Sequence, residues 1–99
     1  MKNPLGIHSL VWTGSWERKD IDFAVSSSSK LGFDIIEIPL LNPYNFNPEY
    51  TKKVLEINEI TGVTSLGLSE KTDISSEDPV IRENGSKLLE KALEMTYQI

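Results

Sequence analysis

Four side chains in this 99-residue sequence have the type and setting to do chemistry: His8, Trp12, Trp16 and Glu37. His8 is the only histidine and stands in a short apolar run, Gly6-Ile7-His8. An imidazole there could move a proton near neutral pH, although a lone strand histidine also serves as a hydrogen-bonded core residue. Trp12 and Trp16 follow, and their rings could either bind a ligand or plug the end of the fold. Glu37 lies between Ile36 and Ile38 in a run that should be buried. A buried carboxylate is costly unless it is paired, so Glu37 predicts a polar site or a structural ion pair. Gly67, Leu68 and Glu70 follow a third apolar run, and Glu70 reads as a solvated loop acid.

Other chemistries lack their residues. The sequence contains neither a phosphate loop nor a dinucleotide fingerprint. A serine or cysteine nucleophile with its base is not evident. One histidine with scattered acids does not supply the convergent ligands of a metal centre. On residue chemistry alone, no catalytic set and no metal set can be assigned.

The elements that must position these residues are marked by pattern. Three β-rich apolar runs, Gly6 to Trp12, Asp34 to Leu41 and Val63 to Leu68, are each followed by a helix-patterned polar stretch. Gly32 and Gly62 precede the second and third runs and read as helix terminators. Their spacing of thirty residues is one βα unit. Asp20 is the candidate cap of the first helix, whose inner face would be Ile21, Ala24, Val25 and Ser28. Asn47-Pro48-Glu49 announces the second helix, with a cap followed by proline. Ser75-Ser76-Glu77-Asp78-Pro79 announces the third, which carries a stripe of Ile81, Gly85, Leu88, Leu89, Ala92 and Met95. Gly85 within that stripe predicts a point of close packing. The long loop between Pro39 and Asn47 adds Tyr44 and Phe46.

The resulting order is β-α-β-α-β-α, with parallel strands and right-handed crossovers. Functional groups in such folds gather where strands end and loops begin, which is where the residues above fall. Three parallel strands form an unfinished sheet, since such sheets are normally covered on both faces. The last helix also reaches Ile99 without a stop signal, so the chain reads as a cut piece of a larger domain.

Composition narrows the partners. A quarter of the residues are charged and 38% are hydrophobic, which is a folding composition. The formal charge of −5 disfavours a nucleic-acid backbone or an anionic membrane as partner. The absence of cysteine excludes disulfides and fits a reducing cytoplasm. The apolar run broken by Gly6 and His8 is too brief for a signal sequence, and no window approaches a membrane span. Asn84-Gly85-Ser86 matches a glycosylation sequon and, without an export signal, is treated as chance.

Lys30-Leu31-Gly32-Phe33-Asp34-Ile35-Ile36-Glu37-Ile38 resembles the helix-to-second-strand segment of the D-tagatose/D-psicose 3-epimerase family. Ser75-Ser76-Glu77-Asp78-Pro79-Val80-Ile81-Arg82 with Gly85 resembles that family's entry into its third helix, and Gly6-Ile7-His8 with Trp12 and Trp16 its first strand and loop. The resemblance spans essentially the whole chain. It implies a (β/α)8 TIM barrel of the xylose isomerase-like kind, of which residues 1–99 form the first three βα units. It also implies a divalent metal, Mn2+ first and Mg2+ or Co2+ as alternatives. Two glutamates would epimerise a ketose through an enediolate, in a protein expected to be a homo-oligomer. The glutamates and the metal ligands lie on later strands of the family and have no counterpart here, so this piece should bind no metal alone.

The part that carries over is the sugar-binding wall. His8 stands where relatives place an aromatic substrate contact, which is a departure. Trp16 matches a tryptophan that covers the sugar, and Gly67 a glycine ending the third strand. Trp12 and Glu37 match recurrent residues. A barrel of this kind needs about 250 residues, so the isolated chain should be inactive. The competing readings are a non-catalytic α/β module that oligomerises to cover its sheet, or another barrel enzyme: a sugar-phosphate 3-epimerase, a hydroxypyruvate isomerase or an inosose dehydratase.

Overall fold

The computed structural model describes residues 3–99. Along the chain run β1 (Gly6–His8), α1 (Arg18–Lys30), β2 (Ile35–Pro39), α2 (Pro48–Ile57), β3 (Thr61–Ser65) and α3 (Pro79–Tyr97). The strands form one parallel sheet in the order β1-β2-β3. This is the βα alternation read from the sequence, with one helix after each strand.

Register decides which face each side chain takes. His8 pairs with Glu37, and Glu37 with Val63, so these three share a row and a face. Ile36 and Ile38 point the other way and are wholly buried among Ile21, Ala24 and Val25 of α1, Val54 and Leu55 of α2, and Ile60. That one-sided layer is the core. Among the described residues no second layer lies on the opposite face, which corrects the expectation that Glu37 would be buried: it is only partly covered.

Helix starts are held by side chains. Asn47 Oδ1 accepts from the Tyr50 N–H at 3.1 Å, and Asp78 Oδ1 from the Val80 N–H at 2.9 Å. Ser76 acts one step earlier, accepting from the Asp78 N–H at 3.1 Å. Asp20 is not the cap of α1. The helix begins before it, and its carboxylate reaches back to accept from the Glu17 N–H at 3.0 Å and from the Ser15 hydroxyl. Those two bonds hold the Asp20 carboxyl below the usual carboxylate range, the Ser15 hydroxyl contributing most. The inner face of α1 is the expected Ile21, Ala24, Val25 and Ser28. In α3, Gly85, Ala92 and Met95 are buried, while Ile81, Leu88 and Leu89 are half-buried.

The glycines divide their roles differently from the expectation. Gly32 follows α1 with φ of +89° and ends it as expected. Gly62 does not end α2, because it lies inside β3. The left-handed residue after α2 is Glu59, with φ of 52°. Gly62 is there for space: a Cβ would come within 2.8 Å of Leu55 Cδ1. Gly85 allows an approach that is closer still, with the Thr72 carbonyl and Ile74 occupying the place of its missing methyl group.

Candidate functional site

The first strand is shorter than its apolar run suggests. It stops at His8, after which Ser9–Val11 turn in a single 3-10 step. The reason is local: His8 Nδ1 accepts the Leu10 N–H at 3.1 Å and caps the turn. Trp12 therefore lies beyond the turn, off the sheet. Its indole N–H donates to Ser28 Oγ at 2.9 Å, and its ring meets Phe23 edge-on at 5.9 Å. Trp12 ties the first loop to α1.

With Nδ1 occupied as an acceptor, the His8 proton sits on Nε2. That nitrogen faces Glu37 Oε2 at 3.0 Å, with the side chains 33% and 45% exposed. The two residues are register partners on adjacent strands, so the bond crosses directly from β1 to β2. They line a recess of about 270 Å³ on the open sheet face together with Gly6, Ile35 and Val63. The result is a polar pair with an apolar floor, at the end of β1 and in the middle of β2.

A second recess, of about 180 Å³, opens beside the first loop, where Trp16, Pro39, Leu41, Asn45 and Phe46 meet. The Trp16 indole N–H donates to Thr51 Oγ1 of α2 at 3.2 Å, which fixes the ring at the edge of this recess. Tyr50, next to Thr51, donates its hydroxyl proton to Asp22 Oδ1 at 2.7 Å, which pushes the Tyr50 phenol above its ordinary value. The Arg18 guanidinium stacks over the Tyr50 ring at 4.7 Å. This clamp fastens α1 to α2 beneath the Trp16 loop.

The structure thus brings His8 and Glu37 together and seats Trp16 in a neighbouring recess. Trp12 is turned onto α1. Gly67 lies exposed beyond β3, lines neither recess and has open space where a Cβ would stand. Ile35 and Val63 were not singled out in the sequence. Period-two counting from Glu37 would have found Ile35, whereas Val63 needs the register of β3, which no local pattern supplies. Among the described residues, no group of three or more His, Cys, Asp or Glu side chains is placed to hold a metal ion. The divalent metal implied by the resemblance does not fit these residues.

No family model matches the chain. Individual proteins do. A ketose 3-epimerase from Arthrobacter globiformis is 37% identical over 95 residues, covering 96% of this chain and 33% of that protein. An L-ribulose 3-epimerase from Methylomonas sp. is 38% identical over 94 residues, covering 95% of this chain and 33% of its own length. Among solved structures, D-allulose 3-epimerase from Methylomonas sp. in complex with D-allulose aligns with a TM-score of 0.92 at 38% identity, over 96% of this chain and 33% of that one. D-psicose 3-epimerase from Clostridium cellulolyticum with D-tagatose aligns at 0.85 and 29% identity, over 97% and 34%.

By fold the chain is three consecutive parallel βα units of the kind found in sugar-epimerase barrels. By descent its relatives are the ketose 3-epimerases, and it spans about a third of the length of the curated relatives it matches.

Proposed function

We propose that this chain is the substrate-facing wall of a ketose 3-epimerase, a protein that inverts the C3 carbon of an unphosphorylated ketose. The observation that carries the reading is the 0.92 TM-score against a D-allulose 3-epimerase holding D-allulose. Glu37, held by His8, supplies a carboxylate on the open sheet face. Trp16, fixed by Thr51, supplies an aromatic surface at the mouth of β2. Trp12 acts through α1 by holding the first loop in place. Gly67 leaves open space at its own position beyond β3.

Proton transfer at C3 needs an acid and a base flanking the carbon, and we assign those groups to parts of the barrel outside these residues. A divalent metal, Mn2+ or alternatively Mg2+ or Co2+, belongs to the same outside region, where it would polarise the carbonyl. The barrel's third that is described here binds and orients. It does not catalyse.

The test is an assay for C3 epimerisation of D-fructose and D-tagatose, run on the 99-residue chain and on the whole protein that carries it. The whole protein is expected to form the C3 epimer and to lose that activity on chelation. The chain alone is expected to form none. Metal-dependent epimerisation by the 99 residues would overturn the division of labour proposed here.

A further inference from the structure

We propose that Glu37 is a specificity-determining residue that accepts a hydrogen bond from a hydroxyl of a neutral polyol, and that His8 is the positioning residue that aims its carboxylate. The inference rests on the ketose reading above and sharpens its substrate class.

Both nitrogens of His8 are engaged: Nδ1 accepts the Leu10 N–H at 3.1 Å, and Nε2–H donates to Glu37 Oε2 at 3.0 Å. The imidazole therefore has no free hydrogen-bonding group to offer a ligand. Its work is internal, since it joins the turn after β1 to the carboxylate on β2. Glu37 is in the opposite position. An ionised carboxylate is an acceptor only, with about four lone-pair sites on two oxygens, and His8 uses one of them. Among the described residues no donor is bonded to Oε1.

This spare acceptor capacity lies on the face that the described residues leave uncovered, in a recess floored by Ile35 and Val63. The pairing restricts the swing of the Glu37 side chain, so that less conformational entropy is lost when a ligand hydroxyl docks. An acceptor-only anion selects for a donor. A hydroxyl satisfies it, whereas a phosphate or carboxylate on the ligand would meet like charge without a proton to give. The occupant of the recess is accordingly the hydroxyl-bearing part of an uncharged sugar.

The full 99-residue chain, labelled with 15N, provides the test by NMR. The imidazole nitrogen shifts report the His8 tautomer, and the indole N–H signal of Trp16 reports ketose binding independently of Glu37. The Nε2–H tautomer is expected in the wild type. D-fructose is expected to move the His8 and Trp16 signals, and fructose 1,6-bisphosphate to move neither. Glu37→Gln keeps an oxygen for the His8 N–H and replaces the other acceptor with an NH2 donor. It should therefore retain the tautomer and weaken D-fructose binding roughly tenfold, the worth of one hydrogen bond to a charged group. His8→Phe should weaken binding by a smaller factor, because the carboxylate remains but is no longer aimed.

An Nδ1–H tautomer in the wild type overturns the inference, as does binding of the bisphosphate as tight as that of D-fructose. Trp16 shifts with D-fructose that are unchanged in Glu37→Gln also overturn it, while leaving the ketose reading in place. No response to D-fructose at either Trp16 or His8 would remove the inference together with the sugar-facing role of the wall.

Discussion

A methyl group added at Gly85 would meet the Thr72 carbonyl, part of a backbone segment that cannot rotate aside, as well as Ile74. Gly85→Ala gains about 1 kcal/mol of helix propensity, but overpacking costs about 1–3 kcal/mol, and a backbone clash falls at the upper end. Net destabilisation in a denaturant titration is the expected outcome. Gly62→Ala should cost less, because the atom it meets is the far end of the Leu55 side chain. Acid sensitivity also belongs to single residues. Asp20 and Asp73 have carboxyls held low, the first chiefly by Ser15 and the second by Ser75. A depressed folded value means that the stabilisation is present above the ordinary 3.8 and is lost as pH falls through the lower folded value. Asp20→Asn should therefore lower the melting temperature at neutral pH and flatten the acid limb, the two profiles converging at low pH where the wild-type carboxyl is protonated. The sequence shows Gly85 as a break in an apolar stripe, and that break is legible. The roles of Gly62 and Glu59 are not legible, because a glycine needed for space looks the same in sequence as one needed for a left-handed turn.

At the scale of elements, the caps do what their residue types promise. Asn47 and Asp78 each satisfy an N–H that α2 or α3 would otherwise leave open, and each precedes a proline. Asn47→Ala should lower stability by about 1 kcal/mol, with faster amide exchange at Tyr50 as its local signature. These starts were readable because cap, proline and acid fall in fixed order. The start of α1 was not, because Asp20 has the type of a cap while working from the third helical position, where it accepts from the Glu17 N–H behind it. The end of β1 was hidden for a related reason. Its apolar run continues through Leu10, Val11 and Trp12, but the His8 side chain captures the Leu10 N–H and turns the chain. A side chain bonding two residues ahead leaves no mark on an apolar pattern.

At the scale of the molecule, the described residues are layered on one side of the sheet only. The helices cover the face of Ile36 and Ile38, and the row of His8, Glu37 and Val63 stands uncovered. The three-unit order was legible from its thirty-residue period and from the resemblance. That the sheet is unfinished was legible as well, but the residues on its uncovered row were not, because they follow from the register of the three strands. The pairing of His8 with Glu37 needed the register of β1 on β2, which loop lengths and sheet twist decide together. The most direct measurement is a graft: this chain replaces the corresponding third of Methylomonas D-allulose 3-epimerase, and the purified product is assayed for C3 epimerisation of D-fructose. If the chain is a sugar-facing wall, the graft retains epimerase activity, with its ketose KM altered more than its kcat. A graft that folds and melts cooperatively but forms no C3 epimer would contradict that role.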